Sequence, residues 1–270
     1  RYLQAYANMF CRFIDLYAEE GIPIDMVMYQ NEAYSYTPYP GCAWTAEGTI
    51  RFNRDYLYPA LKQKHPEVKL YLGTFNTNRQ DYVQKIVGAL SDKVTGLGFQ
   101  WEGRENLDFM REHHPGLHLM QTESECGNGS MDWKAGEHTF FLLHEYVGRG
   151  CDEYCIWNFI LCDNGQSPWG WKQNALIQVD SHDKTFRYTA EYYAVKHFSH
   201  FVTPGSKVLY FQPWKKESGV QGIVFMRPDG RRVVILGTTN DVATPVSIPV
   251  GQRFLNVTLQ PHSFNTFIEK

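Results

Sequence analysis

The sequence lacks several features that would assign it to a familiar class. It has no run of about 20 apolar residues, the length that a membrane-spanning helix needs. Its formal charge is −3 at pH 7, so it has no basic surplus for nucleic acid or an anionic membrane. It has no CxxC pair, internal repeat or low-complexity segment. We therefore expect a globular protein with no nucleic-acid partner and no membrane span.

The six cysteines form no pattern of a disulfide framework or a metal site. Cys151 and Cys155 lie on one predicted strand, where they would be about 13 Å apart. That separation is too long for a disulfide. We expect most of the six to be buried free thiols, and we expect no metal and no organic cofactor.

Aromatic residues are abundant: Phe, Trp and Tyr make up 15% of the chain, with 7 Trp. Sugar-binding clefts are one common reason, because the C–H face of a sugar packs well on an aromatic ring. A large aromatic core would give the same composition, so composition alone leaves both interpretations open.

Strand and helix patterns alternate through the first 200 residues, which is typical of parallel βαβ units. We favour a (β/α)8 barrel, in which functional residues lie at the C-terminal ends of the strands. A doubly wound sheet also fits the alternation, but the chain has no GxGxxG or P-loop. The predicted strands are 24–30, 68–73, 94–101, 117–123 and 152–157, and the predicted helices are 1–20, 45–64, 79–90, 105–113, 132–149 and 188–201.

The pattern changes after Pro204-Gly205 to short strands, with a turn signal at residues 227–230. This predicts two domains: 1–203, the C-terminal part of a catalytic barrel, and 204–270, an antiparallel β-sandwich. Only five barrel strands are present, whereas a barrel needs eight. The chain also begins at Arg1, inside a helical pattern and without Met. We therefore expect the first barrel strands to come from the same longer chain, and these 270 residues not to fold alone.

Two predicted strands run directly into a glutamate. Residues 24–30 lead to Asn31-Glu32, and residues 117–122 lead to Glu123. Water solvates carboxylates well, so a glutamate at the buried end of a strand usually has a partner or a function. Glycoside hydrolysis needs such a pair, one acid and one ionised carboxylate. Two separate salt bridges would explain the same residues without any function.

Neighbouring residues favour the catalytic interpretation. Asn31 could bind a sugar hydroxyl, and Trp101, Trp157 and Trp169 or Trp171 could stack on sugar rings. Glu125 competes with Glu123 as nucleophile, because residues two apart share one face of a strand. Cys126-Gly127 suggests that the strand has already ended, which favours Glu123.

Five motifs in this order resemble glycoside hydrolase family 30, the glucosylceramidase-like family with a (β/α)8 barrel and a β-sandwich side domain. They are Gln30-Asn31-Glu32, Gln121-Thr122-Glu123-Ser124-Glu125-Cys126-Gly127, Trp157-Asn158-Phe159, Trp169-Gly170-Trp171-Lys172-Gln173-Asn174 and residues 192–199. The resemblance implies that Glu32 is the general acid/base, on barrel strand four, and Glu123 the nucleophile, on strand seven. It also implies substrate contacts from Asn31, Trp101, Trp157, Asn158 and Trp169. At Gln100-Trp101-Glu102 the chain departs from the His-Trp-Tyr that family members often carry.

These expectations combine into one functional hypothesis and one alternative. The hypothesis is a retaining β-glycosidase that acts on a carbohydrate or glycolipid: a β-1,6-glucan, a glucosylceramide-like lipid or a β-xyloside. The Tyr-rich loop 33–44 would shape the leaving-group side. The resemblance implies a secreted or periplasmic protein. The alternative is a non-catalytic carbohydrate-binding protein on a degenerate or incomplete barrel.

Overall fold

A computed structural model describes residues 1–33 and 41–269. Two compact units make up the described chain, and neither is continuous in sequence. The first unit contains Arg1–Glu123 and Gly150–Cys155, and the second contains Ser124–Arg149 and Ile156–Lys270. The predicted division after residue 203 stays a prediction, because these units follow packing rather than chain order.

A five-stranded parallel sheet forms the centre of the first unit. Its strands lie side by side in chain order, and each pairs in parallel with the next. A doubly wound sheet reverses its strand order at a switch point, whereas a barrel wall does not. The observed order therefore favours the barrel. The strands are β1 (Met26–Met28), β2 (Lys69–Phe75), β3 (Gly96–Gln100), β4 (His118–Glu123) and β5 (Cys151–Tyr154).

The strands form where the sequence places short apolar runs that can be buried on both faces. Leu72, Leu97 and Phe99 have no exposed surface. Near-continuous apolar runs are typical of parallel strands, since these have other elements packed on each face. The predicted strands match the observed ones to within a few residues. Two strands end at least two residues earlier than predicted. β1 ends at Met28 rather than at residue 30, and β5 ends at Tyr154 rather than at residue 157.

The helices of the first unit follow the predicted order with one difference. The segment 45–64 is interrupted by a π-helical turn, Asn53–Leu57. Pro59 follows this turn and has no N–H to donate, so a regular α-helical hydrogen-bond pattern cannot continue through it. The α-helices are α1 (Tyr2–Glu19), α2 (Ala46–Phe52), α3 (Tyr58–Lys64), α4 (Gln80–Leu90) and α5 (Leu107–His113), with a 3-10 helix at Trp101–Asn106.

The second unit contains two helices, α6 (Trp133–Gly148) and α7 (Ala190–Ser199), and three small sheets. One of these sheets was not predicted: β6 (Ile160–Cys162), β7 (Ile177–Asp180) and β8 (Thr185–Tyr188) lie between the predicted strand 152–157 and the predicted helix that begins at residue 188, where we predicted no strand. Three-residue and four-residue strands are too short to show a clear alternation of apolar and polar residues.

The C-terminal strands form the predicted antiparallel sandwich. A four-stranded sheet in the order β14-β11-β10-β9 accompanies the β12-β13 pair, around a core of Val224, Val234, Leu236, Ile248 and Leu259. The predicted turn joins β10 to β11, and Gly230 there has a φ of 83°. The strands are β9 (Lys207–Gln212), β10 (Val220–Met226), β11 (Arg232–Thr238), β12 (Thr244–Val250), β13 (Arg253–Leu259) and β14 (Ser263–Ile268).

The six cysteines, all within the described residues, form no disulfide. Only three of them, Cys11, Cys126 and Cys151, are buried, fewer than expected; Cys155 is half-buried, and Cys42 and Cys162 are exposed. Both exposed thiols lie outside the apolar patterns of the main helices and parallel strands, so they are not buried by the packing of those elements. Within residues 1–33 and 41–269, none of the helices has the length and the apolar character that crossing a bilayer requires.

Candidate active site

Glu32 and Glu123 lie at the C-terminal edge of the same parallel sheet. Glu32 follows β1 in a short turn, and Glu123 is the last residue of β4. Glu32 has a φ of 47°, and so does Trp101 directly after β3. This left-handed region is unfavourable for residues other than glycine, and such residues are often found at functional sites. The sheet therefore brings together two carboxylates and one indole that the sequence singled out.

Glu32 is only 8% exposed and is held by neutral hydrogen-bond donors. Its Oε1 accepts bonds from Asn76 Nδ2 at 2.6 Å and from Gln100 Nε2 at 2.9 Å. Its backbone N–H donates to Thr74 Oγ1 at 3.1 Å. These contacts come from the ends of β2 and β3, so the sheet itself fixes the position of this carboxylate.

Asn31 lies beside Glu32 and is exposed. The Thr74 hydroxyl donates to Asn31 Oδ1 at 2.9 Å. Because its carbonyl oxygen accepts this bond, the orientation of the Asn31 amide is set before any ligand binds. Such an exposed, oriented amide is suited to contact with a hydroxyl group.

Glu123 is half-buried and accepts a bond from Trp101 Nε1 to its Oε1 at 3.0 Å. Burial is the main cause that raises the pKa of Glu123, and the negative charge of Glu32 raises it further. The Trp101 bond acts in the opposite direction. The two carboxylates therefore lie within electrostatic range, and ionising both at once is unfavourable.

Sequence reasoning missed the side chains that hold Glu32. Asn76 was not considered, because the predicted strand ended at residue 73, whereas β2 continues to Phe75. Asn76 then follows directly and is itself a polar residue at a strand end. Gln100 was noted only as a departure from the family pattern. Its hydrogen bond to Glu32 crosses between strands and leaves no signal in sequence spacing.

Three further predicted contacts, Trp157, Asn158 and Trp169, lie in the second unit. The Trp157 backbone N–H donates to Ser124 Oγ at 2.8 Å, and Asn158 Nδ2 donates to Gln173 Oε1 at 3.1 Å. Trp169 is 53% exposed. Asn158 is thus already bonded inside its own unit. The predicted role of all three in binding sugar stays a prediction.

Glu125, the competing nucleophile, also belongs to the second unit. One of its carboxylate oxygens lies 2.7 Å from His138 Nε2, on α6. Glu123 also has a hydrogen-bond donor, Trp101, so the choice of Glu123 over Glu125 as nucleophile stays a prediction. Residues 34–40, most of the loop predicted to shape the leaving-group side, lie outside the described residues. The described ranges contain no group of three or more His, Cys, Asp or Glu that could hold a metal ion.

Comparison with known proteins gives the family. The model of the glycosyl hydrolase family 30 TIM-barrel domain matches residues 1–202. The model of the family 30 β-sandwich domain matches residues 205–267. A putative glucosylceramidase of Caenorhabditis elegans is 24% identical over 92% of this chain and 52% of its own length. An endo-1,6-β-D-glucanase of Trichoderma harzianum is 25% identical over 94% of this chain and 54% of its own length.

Solved structures agree on the fold. SrfJ from Salmonella typhimurium has a TM-score of 0.87 at 21% identity, and the match covers 99% of this chain and 62% of that protein. An endo-β1,6-glucanase has a TM-score of 0.83 at 23% identity over 99% of this chain and 63% of its own. The chain spans about half the length of the curated relatives that it matches. The resemblance and the fold class predicted from the sequence are confirmed, and the chain belongs to glycosyl hydrolase family 30, with its TIM-barrel and β-sandwich domains.

Proposed function

We propose that this chain carries the two catalytic glutamates of a retaining β-glycosidase. Glu123 acts as the nucleophile and Glu32 as the general acid/base. One observation carries the proposal: the two glutamates share the C-terminal edge of one parallel sheet, where the charge of Glu32 acts on Glu123. Family membership supports it, and the roles of the two residues follow the family resemblance.

In the first step, Glu123 attacks the anomeric carbon while Glu32 gives its proton to the leaving oxygen. The glycosidic bond breaks, and an ester forms between the sugar and Glu123. In the second step, Glu32 removes a proton from water, the water oxygen attacks the anomeric carbon, and the Glu123 carboxylate is released. Two inversions at the same carbon retain its configuration.

The surroundings of the two carboxylates suit this division of work. Burial, and after it the negative charge of Glu32, raises the pKa of Glu123. The indole N–H of Trp101 acts in the opposite direction and stabilises the ionised Glu123, the form that attacks the anomeric carbon. The mechanism needs one such nucleophilic carboxylate and one acid. No metal or organic cofactor takes part in this scheme.

For the substrate we propose a β-D-glucoside, either a β-1,6-glucan or a glucosylceramide-like glycolipid. The named activities of the relatives support both: an endo-1,6-β-D-glucanase and glucosylceramidases are among them. We place the glucan first, because the Gln121–Gly127 motif has the form that we associate with microbial β-glucanases. A glucan polymer lies outside the cell, so we also propose a secreted or periplasmic location.

The assignment of the nucleophile is tested with two matched variants of the full-length protein that contains this chain. Glu123→Gln and Glu125→Gln make the same change two residues apart. We expect Glu123→Gln to lose at least about 10³-fold in turnover of an aryl β-glucoside, since it removes the covalent intermediate. Glu125→Gln should retain most activity. The opposite result would transfer the role to Glu125.

The activity of the parent protein distinguishes an enzyme from a non-catalytic binding protein. A parent that binds β-1,6-glucan but releases no sugar would support the non-catalytic alternative. If the parent is active, the products from β-1,6-glucan and from glucosylceramide identify the preferred substrate. An aryl β-xyloside serves as the third comparison.

A further inference from the structure

We propose that Gln100 is a positioning residue which, with Asn76, clamps one oxygen of Glu32 and thereby directs its proton to the other oxygen. The proposal rests on the proposed role of Glu32 as acid/base. The Gln100 side chain donates to Glu32 Oε1, so its effect is exerted through Glu32.

Gln100 is completely buried at the C-terminal end of β3. Its Nε2 donates to Glu32 Oε1 at 2.9 Å, and its own Oε1 accepts a bond from Thr122 Oγ1 at 3.2 Å. The second bond fixes the amide orientation. If the amide were flipped, its oxygen would face the carboxylate oxygen, and two acceptors would repel each other.

Asn76 contributes the second half of the clamp from the end of β2. Its Nδ2 donates to the same Oε1 of Glu32 at 2.6 Å, while its Oδ1 accepts from the Glu102 backbone N–H at 3.3 Å. Both amides are therefore held by a bond on their far side and point their N–H groups at one carboxylate oxygen. Two strands supply one donor each, so the clamp forms only when β2 and β3 are correctly aligned.

Two consequences follow from this arrangement. Two donors occupy the lone pairs of Oε1, so the proton that Glu32 transfers is expected on Oε2. Neither amide ionises between pH 3 and 10, so the clamp keeps the same charge over the working range.

The test compares Gln100→Met with Gln121→Met. Both glutamines are completely buried on neighbouring strands, and Met is similar in length but donates no hydrogen bond. Gln121 accepts a bond from the Cys155 backbone N–H and makes no hydrogen bond to Glu32 among the described residues. Gln121→Met therefore controls for the general cost of replacing a buried amide in this sheet.

For Gln100→Met we expect the alkaline limb of the kcat/KM profile to move up by about one pH unit, since the ionised carboxylate loses a donor. The kcat for a glucoside with a poor leaving group should fall about tenfold, because Glu32 is less well held. An activated aryl glucoside should be less affected. Gln121→Met should shift neither limb, and Gln100→His, which restores an N–H donor, should recover much of kcat.

A direct titration tests the clamp without turnover. The ¹³C signal of the Glu32 side-chain carboxyl should titrate at a higher pH in Gln100→Met than in the parent and in Gln121→Met. Equal titration in all three proteins would overturn the clamp, whether or not the protein is active. Normal turnover of a poor-leaving-group glucoside by Glu32→Gln would instead overturn the acid/base assignment, so the two failures are distinguishable.

Discussion

Buried carboxylates occur in both units, but their partners differ in kind. In the first unit, Glu32 accepts bonds from two amides and Glu123 from an indole. In the second, Glu145 on α6 is bonded to His144 and Arg149 and to the Trp214 backbone N–H. The first set of partners is neutral, whereas the second includes a permanent cation.

The difference explains what each carboxylate can do. Burial opposes ionisation of Glu145, but the bonds from His144, Trp214 and Arg149 outweigh it and lower its pKa to about 2. Its charge is compensated locally, so it stays an anion with a structural role. Neutral donors, in contrast, orient a carboxylate without neutralising it. A carboxylate held in this way keeps the charge or the proton that catalysis needs.

The largest effect should come from Glu32→Gln. General acid catalysis contributes about 10²–10⁴-fold, so kcat for glucosides with poor leaving groups should fall by that factor. The melting temperature should change little, because Gln has the same shape and the two amides that donate to Glu32 are uncharged. Kinetics with a series of aryl glucosides, together with calorimetry, measure both. If Glu32→Gln strongly destabilised the protein, neutral hydrogen-bond donors would not distinguish a reactive carboxylate from a structural one.

Glu145→Gln should give the reverse pattern: a stability loss of about 3 kcal/mol, because the variant removes the buried charge with which Arg149 pairs. Since the folded state holds the pKa of Glu145 near 2, against 4.5, its contribution is present above pH 4.5 and is lost as the pH falls toward 2. Urea unfolding at pH 7 and pH 3 measures it. The exposed Glu47, paired with Lys85, provides the control variant Glu47→Gln, which should change little at either pH.

Glu191 on α7 sharpens the comparison, because it is buried without a cation bonded to it among the described residues. Burial raises its pKa to about 7, although bonds from Thr139 and Asn174 partly offset the effect. The folded state therefore binds a proton more tightly than the unfolded state does, and stability is lost as pH rises from about 4.5 to about 7. The free energy of unfolding of Glu191→Gln, relative to that of the parent, should be about 3 kcal/mol higher at pH 8 than at pH 4.5. Parallel pH dependence of both proteins would contradict this expectation.

The smallest effect is expected for Trp101→Phe, which removes the indole N–H but keeps an aromatic ring. The Trp101 bond lowers the pKa of Glu123, so without it the acidic limb of kcat/KM should move to higher pH, by about one unit or less. Turnover near neutral pH should fall a few-fold. Trp44→Phe is the control, because Trp44 lies in the same unit and makes no hydrogen bond to Glu32 or Glu123 among the described residues. If the acidic limb moved equally in both variants, Trp101 would have no specific effect on Glu123.

Much of this architecture could be predicted from the sequence, because it depends on local patterns. Apolar runs, helical spacing and turn residues such as Arg227-Pro228-Asp229-Gly230 indicated the five parallel strands, the main helices and the sandwich. The small sheet β6-β7-β8 could not be found in this way, since its strands are shorter than one clear alternation. The π-helical turn before Pro59 was also missed, although the proline is its visible cause.

At the candidate site, sequence patterns determined which carboxylates stand at strand ends, because a polar residue after an apolar run is a local signal. The tertiary structure decided how Glu32 is held. Gln100 ends β3, whereas Glu32 and Asn76 follow β1 and β2, so the hydrogen bonds between them depend on strand register. Register follows from packing across the whole sheet, so no single segment of sequence carries it. For the same reason only the folded sheet buries Glu123, which is the main cause of its raised pKa, and places the charge of Glu32 where it raises that pKa further.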